Sequence, residues 1–168
     1  MFDFLFAQGD NLIQWQTVVK HLILIGIALV LSFPIAYNRE HNSNSAGLRT
    51  YPLVAIATCS YTLLAMDVLG AASMGKFMAG IVTGIGFIGG GAILKSEAKS
   101  KVSGLANAAS IWNTGAIGMA VAWQRFEIAV IIATINFLIL RLGFQAKQAI
   151  CDDEKVNEDE ETLDKGEG

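Results

Sequence analysis

Charge is scarce in this chain. Of its 168 residues only 16% are Asp, Glu, Lys or Arg, whereas 53% are hydrophobic; soluble domains carry roughly 25% charged residues. Proline occurs twice, too rarely to mark an internal linker, so the apolar body is not divided. Cysteine also occurs twice, as Cys59 inside an apolar run and Cys151 beyond the last one, which argues against a disulfide between them. His21 stands near Lys20 without a second ligand at metal spacing and reads as a snorkelled or packed side chain. No Ser/His/Asp set, Cys/His pair or Walker lysine motif is present. The sequence therefore predicts no enzyme and no cofactor.

The few charges are unevenly placed. Residues 152–168 hold nine acids and two lysines, a net of −7, so the remainder of this −3 chain is mildly basic. The segments expected are an N-terminal interfacial stretch (1–17), a transmembrane body (18–150) and an acidic, disordered tail (151–168), which is a poor nucleic-acid ligand.

What the chain has in abundance is long apolar runs. Five stand out: Val18–Tyr37, Tyr51–Leu69, Phe77–Leu94, Leu105–Trp123, and Ile128–Leu142 extended by Phe126. Each approaches the ~20 helical residues needed to cross about 30 Å of hydrocarbon, and none alternates with the period of a membrane β-strand. Five such runs leave almost nothing polar to cover them in a soluble fold. The expectation is an all-α polytopic bundle of about five transmembrane helices.

The first run is not a convincing cleavable signal, because Asp3 and Asp10 precede it instead of a basic cluster and no A-x-A site follows. Phe2, Phe4, Leu5, Phe6, Leu12, Ile13 and Trp15 suit a membrane interface. Arg39, Arg49, Lys95, Lys99, Lys101, Arg141 and Lys147 fall on one side of the bundle, and Lys20, Lys76 and Arg125 on the other. The positive-inside rule makes the first set cytoplasmic. The N-terminus is then outside and the C-terminus cytoplasmic, in a bacterial inner (plasma) membrane.

Gly84, Gly86 and Gly89 spell G-x-G-x-x-G. A dinucleotide fingerprint needs a preceding strand and an acid about 20 residues onward. Here the motif lies inside an apolar run, with no Asp or Glu between Lys99 and Arg125. Glycine in a membrane helix instead lets backbones approach closely. Gly80 and Gly84, then Gly86 and Gly90, are spaced G-x-x-x-G; Ser110, Thr114, Gly118 and Ala122 form a small-residue stripe on the fourth span, continued by Asn107 and Ser103. The third and fourth helices are expected to pack as a tight hairpin along these faces. Gly89, Gly90 and Gly91 also fit a second reading, local unwinding that exposes carbonyls; close packing explains the small residues without special geometry.

Among polar residues, Asp67 is the only acid inside a span, at the outer end of the second helix. It is a weak metal candidate, and an interfacial residue paired with Lys76 is the plainer reading. Arg39 and Glu40, facing Arg49 across a loop, read as a salt-bridge cluster. Asn113 and Asn136, polar in mid-span, are expected to hydrogen-bond to neighbouring helices, and Trp112 to pack.

Over roughly residues 35–123 these blocks resemble the MgtC/SapB family of bacterial inner-membrane proteins. The match runs through Arg39-Glu40, "AGLRT" (Ala46–Thr50), "TGIGFIGGGAIL" (Thr83–Leu94), the V-x-G-L-x-x-A-A-x-x-W pattern of Val102–Trp112, and "TGAIGMAV". Ala106 replaces a usually polar residue, Asn107 takes the next position, and Gly89-Gly90-Gly91 replaces Gly-Ala-Gly. The family's Asp-Pro-x-Arg element appears only as Asp67 and Lys76. Where MgtC carries a folded cytoplasmic domain, this sequence continues into its acidic tail, as a short member would. The resemblance implies a non-enzymatic membrane protein linked to magnesium limitation and, in pathogens, to survival inside host cells. It also implies a regulatory role, with the F-type ATP synthase among the partners. Two functions stay open from the residues: regulation through helix–helix contacts with a membrane partner or a second copy, and transport of magnesium or another cation.

Overall fold

The computed structural model describes residues 15–42, 47–96 and 101–164. Among these described residues five helices succeed one another: α1 (Trp15–Asn42), α2 (Thr50–Val68), α3 (Ala71–Gly91), α4 (Leu105–Ala122) and α5 (Phe126–Asp164). Between α3 and α4 lies a small antiparallel hairpin, β1 (Leu94–Ser96) and β2 (Lys101–Ser103), in the register Lys95 opposite Val102. The expected helical membrane bundle is the observed one. Residues 1–14, assigned above to an interfacial stretch, lie outside the described residues.

Local chemistry explains the ends of these helices. α2 starts from a turn in which the amides of Thr50 and Tyr51 donate to the Gly47 carbonyl at 3.1 and 3.3 Å. Pro52 follows in the first turn, where its missing N–H costs nothing. α1 carries Pro34 in its interior, which removes one ladder bond, a defect that membrane helices tolerate. α3 starts at Ala71, six residues before the apolar run suggested, with extended Gly70 as its cap. It stays helical through Gly89, Gly90 and Gly91 and closes with Ala92 and Ile93 amides on the Gly89 and Gly90 carbonyls, each 3.1 Å. No unwinding is present there. Trp123 and Gln124 (φ 59°) turn the chain sharply from α4 into α5.

The bundle is built around α4. Asn107, Ser110, Ile111, Thr114 and every residue from Ile117 to Ala122 are buried on it. Leu24, Ala28 and Ile35 of α1, Tyr51, Ala55 and Cys59 of α2, and Ala129, Ala133 and Leu140 of α5 complete the core. Among the described residues, four helices are long and apolar enough to cross a bilayer by length and composition: α1, α2, α3 and the Phe126–Gln145 part of α5. α4 is the exception, because its place at the centre lets it carry buried Asn, Ser and Thr in place of leucines.

α3 is the outlier. Only Ile85 and Gly89 are buried on it, and Phe87 is 85% exposed. α5 also departs from expectation: residues 151–164, read as disordered, continue the helix to Asp164. Glu, Lys and Leu are good helix formers, and that propensity is blind to the charge pattern that suggested disorder.

Candidate functional site

At the end of the bundle where α1 stops and α2 and α4 begin, a polar cluster joins three helices. The Arg39 Nε–H of α1 donates to Oδ1 of Asn107 on α4 in a short contact. The fully buried Tyr51 of α2 shares its hydroxyl proton between the backbone and side-chain oxygens of the same Asn107, at 3.5 and 3.4 Å. Deeper in, Ser110 donates to Oδ1 of Asn136 on α5 at 3.0 Å. Asn107 thus aligns α1, α2 and α4, and Ser110 ties α4 to α5. In hydrocarbon such bonds between helices replace water as the only partners polar groups have.

The expected salt-bridge cluster is not formed. Arg39 turns to neutral Asn107, and Oε2 of Glu40 accepts the backbone amide of Leu48 at 2.9 Å. A Cβ on Gly47 would overlap that carboxylate, so the absence of a side chain there lets the loop fold onto Glu40. Arg49 is exposed at the cap of α2. A backbone amide at the loop outcompetes a cation whose charge stays in water.

At the opposite end, Asp67 Oδ2 stands 3.9 Å from Nε2 of His21, joining α2 to α1. The partner is His21, on a packed neighbour, and not Lys76. Among the described residues, no group of three or more His, Cys, Asp or Glu side chains comes together as a metal site.

The glycines sort differently from their spacing. A Cβ added to Gly80, Gly84, Gly86 or Gly90 would meet nothing within 4 Å, so these four do not pack the third helix on the fourth. The close approach is made by Gly89, whose Cβ would lie 3.2 Å from the Ala108 carbonyl oxygen. On α4, Gly115 receives the Ile85 side chain of α3, while Gly118 faces α2, where a Cβ would overlap Thr58 Oγ1 and stand 2.5 Å from the Ala55 carbonyl oxygen. Ser110 turns to α5, and buried Thr114 bonds the Ser110 carbonyl of its own helix at 2.8 Å. The α4 stripe is therefore buried as expected, but against α2 and α5. Trp112, expected to pack, is 49% exposed.

Gly80 and Gly84 instead floor an open apolar cleft of about 640 Å³ between α2 and α3, walled by Leu53, Tyr61, Phe77, Ile81 and Ile88. It is a surface with two flat backbone patches flanked by aliphatic and aromatic side chains.

Membrane-length helices around a polar-cored central helix, tied by interhelical amide and hydroxyl bonds, define a polytopic helical membrane protein. The MgtC family pattern matches residues 25–149, and the chain belongs to that family. It is 30% identical over 155 residues to Protein SrpB of Synechococcus elongatus, covering 85% of this chain and 81% of that one. YhiD of Escherichia coli K12, whose name provisionally calls it a magnesium transporter, is 30% identical over 75% of this chain and 61% of its own. Protein MgtC of Brucella abortus is 33% identical over 62% of this chain and 43% of its own. The chain thus spans most of SrpB but about three fifths of YhiD and under half of that MgtC. No solved structure gives a significant match.

Proposed function

We propose that this is a non-enzymatic regulatory protein of the bacterial inner membrane, linked to magnesium homeostasis or adaptation to low magnesium, which acts by helix–helix contact with a partner inside the bilayer. The N-terminus lies outside and the C-terminus in the cytoplasm, as the Lys and Arg distribution directs. The magnesium link rests on family membership and on the relatives' names. The observation that carries the contact mechanism is α3, whose Gly80 and Gly84 leave an open apolar cleft against α2. Flat glycine backbone admits a facing helix at close range, and dispersion then favours helix contact over lipid contact. The partner is a second copy or another membrane protein, the F-type ATP synthase among them by family resemblance. Magnesium is in this reading a signal, not a resident cofactor.

The test fills the cleft. Gly80→Leu with Gly84→Leu places two large side chains where nothing stands within 4 Å; a lipid-facing leucine leaves the isolated protein intact, since lipid is as apolar as Leu. The variant should melt like wild type in detergent yet fail to restore growth in low magnesium to a strain lacking the protein. Full restoration of growth removes the contact mechanism. Magnesium uptake into liposomes that is lost in Asp67→Asn would replace regulation with the transport reading.

A further inference from the structure

The cleft between α2 and α3 has a length and a charged end that select its occupant. Its lining runs from Phe77 to Ile88 on α3 and from Tyr61 back to Leu53 on α2. At a rise of 1.5 Å per residue those stretches are roughly 16 and 12 Å long. The hydrocarbon of one leaflet is about 15 Å deep, half of the ~30 Å core. Leu53 lies one turn inside the start of α2, and Ile88 one turn before the end of α3. The cleft therefore begins close to one end of the bundle and runs to just beyond the middle of both helices, over the depth of a single leaflet.

Its walls offer little to a polar ligand. Thr58 already donates its hydroxyl to the carbonyls of Val54 and Ala55, at 2.9 and 3.2 Å, which leaves Tyr61 as the other polar side chain of the lining. A polar solute would give up its water here without replacement, whereas a hydrocarbon chain loses nothing. The charged end is Arg49, exposed at the cap of α2 with helical φ and ψ of −90° and −40°. Four residues before Leu53, it stands one turn, about 6 Å, beyond that side chain on the same face. The nearby acid, Glu40, accepts the Leu48 amide at 2.9 Å. A guanidinium presents a planar fork of N–H donors that matches a phosphate group.

We propose that the cleft binds an anionic phospholipid, with one acyl chain along Gly84 and Gly80 and the phosphate held by Arg49. Basic side chains beside membrane helices attract anionic headgroups, and the cleft adds a seat for the chain that a surface charge alone lacks. The inference rests on the contact reading and deepens it: a partner helix reaches the glycine floor only by displacing this lipid.

The experiment uses the full chain in an uncharged detergent and measures lipid retention by native mass spectrometry. The probes are dipalmitoyl phosphatidylglycerol, dipalmitoyl phosphatidylethanolamine and dihexanoyl phosphatidylglycerol. Wild type should hold the first in preference to both others. Arg49→Gln should lower that affinity roughly tenfold, the scale of one charge-assisted hydrogen bond, and erase the preference over the ethanolamine lipid. Gly84→Leu, whose side chain enters the cleft where nothing stands within 4 Å, should erase the preference for the long chain. Arg49→Gln changes an exposed side chain and decides the question if the leucine variant does not fold. Lys76→Gln, beyond the other end of the cleft at Phe77, should bind as wild type does. The two readings fail separately, because retention is measured on the isolated protein and the partner contact by growth of the doubly substituted Gly80→Leu, Gly84→Leu strain. The lipid site is overturned if wild type holds the three lipids alike, if Arg49→Gln keeps the full preference, or if Lys76→Gln loses as much as Arg49→Gln.

Discussion

Replacing Gly118 by alanine adds one methyl group where α4 crosses α2. That carbon would overlap Thr58 Oγ1 and lie 2.5 Å from the Ala55 carbonyl oxygen and 3.0 Å from the Cys59 nitrogen. Thr58 has little room to yield, because its hydroxyl already bonds the carbonyls of Val54 and Ala55 at 2.9 and 3.2 Å. Two of the three obstacles are backbone, so the helices must separate. Overpacking of this kind costs about 1–3 kcal/mol, or roughly 2–12 °C of melting temperature for a chain of this size. The matched substitution Gly84→Ala has the opposite sign. Its Cβ meets nothing within 4 Å, while exchanging glycine for alanine in a helix interior gains up to ~1 kcal/mol. Heating each purified variant in the same detergent and following the monodisperse fraction by size exclusion gives the comparison. Gly84→Ala should survive to the highest temperature and Gly118→Ala to the lowest. If Gly118→Ala matches wild type, α2 and α4 are not in backbone contact at this point and the central position of α4 is wrong.

Gly104 joins the hairpin to α4 with φ 92°, and a side chain there would also overlap the Ala92 carbonyl oxygen. Gly104→Ala should cost about 1–3 kcal/mol from the conformation alone and lower accumulation in membranes, whereas Gly75→Ala, in open space, should accumulate normally. A reporter active only in the periplasm should work when fused after Ala72 and fail after Lys99; activity after Lys99 would reverse the proposed orientation.

The five helices were legible because length and apolarity are properties of a segment read alone, although α4 falls short of the apolarity that a spanning helix needs. The glycines were not, because G-x-x-x-G spacing says that residues share a face without saying what the face meets. Gly80 and Gly84 share one that is open, while Gly89, a single position in the triple, makes the contact with Ala108. On α4 the small-residue stripe Ser110–Thr114–Gly118 was read as facing α3, whereas Ser110 bonds α5 and Gly118 meets α2. The Arg39–Asn107 bond crosses 68 residues of sequence and His21–Asp67 joins two different spans, so each needs the helices arranged before it can be seen. Arg39, Glu40 and Asn107 were all picked out by residue type, yet the pairing drawn from proximity along the chain was the wrong one. Gly47 and Gly104 were missed as required glycines; the "AGLRT" block and the Gly104-Leu105 start of α4 were the available signals.

The polar character of α4 bears on how the protein is made. α1, α2, α3 and α5 can each partition into a bilayer on their own apolarity; α4, with Asn107, Ser110 and Thr114 along one side, gains least from lipid and most from neighbours. Its polar stripe bonds Arg39 of α1, Tyr51 of α2 and Asn136 of α5, and α5 emerges from the ribosome after it. The turn at Trp123–Arg125 is short enough that α4 and α5 can enter the membrane as one hairpin, with the Ser110–Asn136 bond formed as they do. Insertion of this chain is therefore a collective step for its last two helices, and a nascent chain halted after Ala122 holds a segment that the lipid alone retains poorly.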